Sequence, residues 1–117
     1  MKALILALLL LAIPAQARDW TAEEKRWAGA LVVTRLIDWG QTRHIARNPD
    51  RFREANPLLP DHPSLGDVNR HFLVGTALMF AVAHYVPQHR TRILQTWVVI
   101  GVATNLHNLH VGVRIDF

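Results

Sequence analysis

The feature that most limits the fold is a proline-rich stretch in the middle of the chain, residues 48–63. It carries four of the six prolines, at positions 49, 57, 60 and 63. Proline lacks a backbone donor and keeps the preceding residue out of the helical region, so helices are expected to end at this stretch. It also contains Phe52, Leu58 and Leu59, whose apolar side chains need to be shielded from water. We therefore predict a packed connection, with Leu58 and Leu59 anchored, rather than a flexible linker.

Three helices are predicted around this loop, at about residues 21–46, 64–85 and 90–113. Thr21 with Glu24, and Ser64 with Asp67, have the spacing of capping boxes, which satisfy the first backbone donors of a helix. Only a few residues around Pro87 separate the second helix from the third, which predicts antiparallel neighbours. The expected fold class is all-α, with an amphipathic first helix followed by a hairpin of the other two.

The N-terminal segment has the composition of a secretory signal peptide. Lys2 is a minimal basic region, residues 3–13 are uninterruptedly apolar, and Ala15-Gln16-Ala17 fits a cleavage site. The apolar run is shorter than the ~20 residues of a spanning helix. We expect cleavage after Ala17 and export of one helical domain, residues 18–117. The expected location is the bacterial inner membrane, with the periplasm as the alternative.

Charge and cysteine content exclude several classes of function. Thirteen Lys and Arg stand against nine Asp and Glu, a net charge of +4, and the basic residues are scattered. No nucleic-acid partner is expected from so mild a balance. The absence of cysteine excludes disulfides and thiol chemistry. The only serine, Ser64, is needed as a helix cap, and no phosphate-binding loop is present. We predict no cofactor, and the sequence assigns no catalytic residue.

Two long segments, residues 71–89 and 93–113, contain no formally charged side chain. Each is close to the ~20 residues that cross a hydrocarbon core. Arginines flank both segments and are expected at the membrane surfaces, with their stems snorkelling: Arg70, Arg90, Arg92 and Arg114. The expected form is a small helical membrane bundle in contact with the lipid bilayer and with a second copy or a membrane-protein partner. A soluble periplasmic bundle is the alternative, because residues 104–110 are polar for lipid contact.

Several polar residues are expected to meet inside the bundle. Asp38 lies in an apolar part of the first helix, where a carboxylate must be paired or have its pKa raised. Arg35, three residues earlier, or an arginine of the loop is its expected partner, and the alternative is an acid that handles a proton or binds a ligand. Asn56, just before Pro57, is expected to form an Asx turn. The predicted buried polar cluster comprises Asp38, Glu54, Asn56, Asn105 and His84.

One stripe of the third helix combines small and polar residues at i, i+4, i+7 and i+11: Gly101, Asn105, Asn108 and Gly112. Such a stripe on an apolar helix is typical of a helix-packing seam. His107 and His110 share a helix face and are weak candidates for metal ligands. No HExxH or ExxH pattern accompanies them, so no metal site is predicted.

Residues 38–72 contain the pattern D…QT…ExNPxL…HPS…VN, formed by Asp38, Gln41-Thr42, Glu54 to Leu58, His62 to Ser64 and Val68-Asn69. This pattern resembles a group of small, uncharacterised helical membrane proteins of bacteria and their phages. The resemblance implies a multi-helix membrane protein and transfers no activity. The expected function is an envelope accessory protein acting through helix contacts. The alternative is a small intramembrane enzyme or metal-binding protein that uses Asp38, Glu54 and histidines.

Overall fold

The computed structural model describes residues 19–117 as three α-helices joined by a loop and a short turn. The helices are α1 (Ala22–Arg47), α2 (Leu65–Tyr85) and α3 (Arg90–His110), and a 3-10 turn (Pro87–His89) precedes α3. Residues 19–117 contain no strand. The predicted all-α class is therefore confirmed, with the first two helices within one residue of their predicted bounds. The predicted signal peptide, residues 1–17, lies outside the described residues.

Both predicted capping boxes are confirmed. The Thr21 hydroxyl accepts from the Glu24 amide at 3.1 Å, and the Glu24 carboxylate accepts from the Thr21 amide at 2.8 Å. Ser64 and Asp67 make the same reciprocal pair at the start of α2. Each box satisfies backbone donors that have no partner within the helix, which fixes where the helix begins.

Helix α1 lies between the other two helices. Its contacts with α3 are the most extensive, those with α2 are fewer, and α2 and α3 contact each other least. Trp39, near the end of α1, donates to Asn69 near the start of α2, so these helices are antiparallel. Glu24 at the start of α1 pairs with Arg90 at the start of α3, so those two run parallel. The predicted antiparallel order of α2 and α3 follows, although both pack mainly on α1.

The third helix ends earlier than predicted, at His110 instead of Val113. Gly112 has a positive φ of 92°. Its amide donates to Leu109 O at 3.1 Å, and the Val113 amide donates to Asn108 O at 2.9 Å. These two bonds form a Schellman motif with Gly112 at the left-handed position that glycine adopts without strain. Gly112 is thus a stop signal and not part of the packing stripe.

After this stop, the C-terminal residues fold back onto the end of α1. Val113 is buried, and the Asp116 amide donates to Gly40 O at 3.0 Å. A Cβ at Gly40 would lie 2.6 Å from Ile115 Cγ2 and 2.8 Å from Phe117 Cε2. Glycine at position 40 therefore permits the close approach of this segment, and α1 continues through it unbroken.

The central loop departs from its prediction at one leucine. Leu58 is 79 % exposed, whereas Leu59 and Phe52 are partly buried. The backbone turns tightly here, because the Leu59 amide donates to Asn56 O at 3.0 Å. Leu58 sits within that turn with its side chain in solvent. The prediction that Leu58 is anchored is therefore wrong.

The apolar core lies at the end of the bundle where α1 and α3 begin. Leu31, Ala83, Leu94 and Val98 form it, surrounded by partly buried aromatic and aliphatic side chains. Within residues 19–117, no helix has both the length and the apolar character of a membrane-spanning segment.

Candidate functional site

A cavity of about 620 Å³ lies where the central loop meets α1 and α3. Its polar lining includes Arg35, Asp38, Glu54, Asn56 and His107. Small-molecule sites are typically clefts of this size with few convergent polar groups. Three members of the predicted buried cluster, Asp38, Glu54 and Asn56, therefore meet at one place, and this cavity is the candidate site.

Asp38 has an altered acidity in this cavity. The pKa of its carboxyl is raised to about 6: burial raises it most, Arg35 and a hydrogen bond from Thr42 lower it, and the nearby Glu54 charge adds a smaller rise. The Thr42 hydroxyl donates to Asp38 Oδ1 over 3.3 Å, which is long for an O–H donor. Desolvation of the charged carboxylate is therefore the main cause of the raised pKa of Asp38.

Arg35 does not form the predicted ion pair with Asp38. Its Nε donates to Thr76 Oγ1 on α2 at 3.0 Å, and its guanidinium carbon lies 4.4 Å from the Phe72 ring centre. Among residues 19–117, no basic nitrogen comes within 4.0 Å of the Asp38 carboxylate. The i, i+3 spacing permits a pair, but contacts with α2 turn the arginine away.

Glu54 and Asn56 organise the loop side of the cavity. Glu54 Oε1 accepts from the Asn56 amide at 2.8 Å, and Asn56 Oδ1 accepts from the Leu58 amide at 2.9 Å, which confirms the Asx turn. Asn56 Nδ2 lies 3.2 Å from His71 Nε2 on α2. Burial and the Arg35 charge lower the pKa of His71, which keeps the imidazole neutral and able to accept from the amide.

Asn105 belongs to a separate polar seam between α1 and α3. Its Nδ2 donates to Thr34 O at 3.1 Å, and its backbone oxygen accepts from Gln41 Nε2 at 3.1 Å. Gln41 Oε1 in turn accepts from Asn108 at 3.0 Å. A Cβ at Gly101 would lie 3.0 Å from Thr34 Oγ1, so the two backbones approach closely here. Gly101, Asn105 and Asn108 all lie on this seam.

His84 lies near the opposite end of the bundle from the cavity. Its Nδ1 accepts from Trp20 Nε1 at 3.2 Å, and its backbone oxygen accepts from Arg90 at 2.8 Å. The Arg90 guanidinium also lies 4.5 Å from the Trp20 ring centre. His84 thus takes part in a second polar cluster, defined by Trp20, Glu24, His84 and Arg90, and does not join Asp38.

The second cluster contains an ion pair between Glu24 and Arg90 that the sequence does not predict. Arg90 is fully buried and Glu24 nearly so, although Arg90 was predicted to snorkel at a membrane surface. Glu24 carries a visible signal as a capping-box residue, but nothing in its spacing indicates a partner 66 positions away. Arg90 satisfies two carbonyls at the end of α2, those of Ala83 and His84, which explains its inward orientation.

The two histidines considered as metal ligands are exposed on α3. His107 lines the cavity, and His110 does not. In the part of the chain from residue 19 onward, no three His, Asp or Glu side chains come together in an arrangement suited to a metal ion.

Comparisons with known proteins find no matching family model, no similar curated protein and no similar solved structure. The resemblance of residues 38–72 to small membrane proteins of bacteria and phages therefore stays a prediction.

Proposed function

We propose that the protein is an accessory protein of the bacterial inner membrane, which associates with lipid through the apolar faces of its helices and has no catalytic activity of its own. The observation that carries this proposal is the distribution of polarity: the seam between α1 and α3 buries polar side chains, and all three helices expose large apolar ones.

The interior side of this distribution is the seam between α1 and α3. Gln41 is fully buried, Asn105 is 6 % exposed, and Thr34 and Thr42 are also buried. These groups are satisfied mainly by one another and by backbone oxygens. Interhelical hydrogen bonds between small and polar residues are a usual means of holding helices together where the surroundings are apolar.

Each of the three helices exposes large apolar side chains. Val99 and Leu106 of α3 are 65 % and 61 % exposed, Leu73 of α2 is 60 % exposed, and Val33 of α1 is 55 % exposed. Extended exposed apolar surface marks an interaction surface. A protein partner covers one face, whereas this surface is spread over every helix. That spread favours lipid as the main covering, with a second copy of the chain or a membrane protein as a further contact.

Fractionation of cells that express the full chain tests this proposal. We expect recovery with the inner membrane and release by detergent. Replacing Val99 and Leu106 together by glutamate puts two charges on one exposed face of α3, and we expect this variant to shift towards the soluble fraction, because charge on a lipid-facing surface is costly.

A matched control adds the same number of carboxylates where no apolar face is disturbed. Gln88 and His89 are both exposed in the 3-10 turn, and their double replacement by glutamate is expected to leave the distribution unchanged. Recovery of the wild-type chain in the periplasmic soluble fraction would refute the proposal and favour the soluble helical bundle.

A further inference from the structure

The cavity beside Asp38 contains a buried acceptor without a donor. Glu54 Oε1 is used by the Asn56 amide, but Glu54 Oε2 is shielded from solvent and accepts no hydrogen bond from any group in residues 19–117. A buried carboxylate oxygen that lacks a donor costs free energy. The Asp38 carboxylate, on the facing helix, also lacks a salt bridge to any residue in the same range.

The charges around the cavity do not balance. Arg35 and Asp38 line it from α1, Glu54 and Arg53 from the loop, and His107 from α3. Arg53 forms an ion pair with Asp61 on the outer side of the loop. Apart from that pair, two carboxylates and one guanidinium line the cavity, and the guanidinium is engaged by Thr76 and Phe72. The cavity thus favours one further positive charge.

Much of the remaining lining is apolar, although Thr42, Thr104 and Asn108 also contribute to it. The apolar residues are Ile45, Ala55, Phe52, Pro57, Phe72, Ile100, Ala103, Val111 and Val113. A ligand in this cavity can therefore place a hydrocarbon part against these side chains and a polar end against the carboxylates. Ligand sites commonly combine apolar walls with a few polar groups that fix the orientation.

We propose that this cavity binds an amphipathic primary amine, with the ammonium group beside the Asp38 and Glu54 carboxylates and the apolar chain along Phe52 and Ile100. An ammonium ion has three donors and no acceptor, which suits an unpartnered carboxylate oxygen beside a second carboxylate. Two carboxylates offer fewer oxygens than the roughly six to eight that Ca²⁺ takes, and the apolar part of the lining does not suit the water shell that Mg²⁺ keeps. The inference goes beyond lipid association and concerns a site on a different part of the molecule.

The test is a titration of the purified full chain with hexylamine at neutral pH. Binding is measured by isothermal titration calorimetry and by the NMR chemical-shift changes of the cavity residues. Hexanol serves as the neutral probe and hexanoate as the anionic one. We expect hexylamine to bind at least about tenfold more tightly than either, because charge-assisted hydrogen bonds are stronger than neutral ones.

Variants locate the binding. Asp38→Asn and Glu54→Gln each remove one charge from the cavity and are expected to weaken hexylamine binding about tenfold or more. Asp50→Asn removes the same charge from an exposed position outside the cavity and is expected to have no effect. Ala103 lies at the exposed rim of the cavity, and Ala103→Trp is expected to abolish binding by filling it. This variant keeps both carboxylates, so it tests the site even if the carboxylate variants fail to fold.

Three results would overturn the inference. Equal affinity for hexylamine and hexanol would mean an apolar cavity without charge recognition. An equal loss in Asp50→Asn and Asp38→Asn would mean attraction by overall charge. Absence of binding by all three probes at millimolar concentration would mean that the cavity holds only solvent.

Discussion

The guanidinium of Arg90 donates to the carboxylate of Glu24 across 3.2 Å, with both side chains withdrawn from solvent. This contact joins the first turn of α3 to the first turn of α1. Arg90 also donates to Ala83 O at 2.7 Å and to His84 O at 2.8 Å, so it ties the end of α2 to the same point. One side chain therefore connects all three helices.

Removing Glu24 is expected to destabilise the fold strongly. Glu24→Ala breaks the buried ion pair with Arg90, and the loss of one partner of a buried pair typically costs about 3–5 kcal/mol. Glu23→Ala, in the same helical turn but exposed, is the control and is expected to change the free energy of unfolding by less than about 0.5 kcal/mol. Urea unfolding followed by circular dichroism measures both. Equal losses would mean that neither the pair with Arg90 nor the capping contact of Glu24 contributes measurably to stability.

Two glycines of α1 are expected to respond oppositely to alanine. Gly29 is exposed, with no atom near its potential Cβ, and Gly29→Ala is expected to raise stability by about 0.5–1 kcal/mol. Gly40→Ala introduces a methyl group 2.6 Å from Ile115 Cγ2, so the C-terminal segment must move and the gain is lost. Faster hydrogen exchange at the Asp116 amide, which donates to Gly40 O, would report that movement. Unchanged exchange there would contradict it.

The seam between α1 and α3 depends on Gln41. Gln41→Leu leaves Asn108 and the Asn105 carbonyl without their partner, and a loss of about 1–3 kcal/mol is expected from thermal or urea unfolding. Gln88→Leu, at an exposed position, is the control with little expected change. Combining Gln41→Leu with Asn108→Leu is expected to recover part of the loss, because one orphaned group is then apolar. No recovery would indicate that shape, and not hydrogen bonding, holds the seam.

The sequence predicts the local features of this fold well. Capping boxes and prolines act through neighbouring residues, so Thr21, Ser64 and Pro87 place helix ends within one or two residues. The prediction that α3 continues to Val113 is wrong, because Gly112 ends the helix instead of belonging to a packing stripe. Glycine just after a helix is a usual stop signal.

Contacts between distant residues account for the remaining differences. Asp38, Glu54 and Asn56 line one cavity, but the predicted cluster also includes Asn105, which lies on the separate seam, and His84, which lies near the opposite end of the bundle. The sequence predicts an ion pair between Asp38 and Arg35, but Arg35 contacts Thr76 and Phe72 of α2 instead. These contacts depend on how α2 packs against α1, which the local spacing does not predict. The Glu24–Arg90 pair has no periodic or local signature at all.

The altered acidity of Asp38 predicts a pH-dependent stability. Its pKa is about 6 in the folded protein against 3.8 for the free side chain, so the folded state retains a proton that the unfolded state releases between these values. The contribution of Asp38 to stability is therefore greatest below pH 4, falls as the pH rises to about 6, and is constant above that. A rise of roughly two units corresponds to about 3 kcal/mol.

Asp38→Asn removes this dependence and keeps the shape of the side chain. We expect the variant to match the wild type near pH 4 and to exceed its stability at pH 7 by up to about 3 kcal/mol, measured by urea unfolding at each pH. Hydrogen bonds from Ser64 and Arg47 lower the pKa of Asp67 and Asp116, which gives the whole protein an opposite slope, but that slope cancels in the difference between variant and wild type.

The exposed Asp50 provides the control for this comparison, because Asp50→Asn removes a carboxylate that lies outside the cavity. Because the Asp50 side chain is exposed, we expect the free energy of unfolding of this variant to differ from that of the wild type by less than about 0.5 kcal/mol. A difference for Asp38→Asn that grows unfavourable as the pH rises would show that the ionised Asp38 carboxylate is stabilised by a cation within the protein. The cavity would then already hold its charge partner, and the site would have no place for a bound amine.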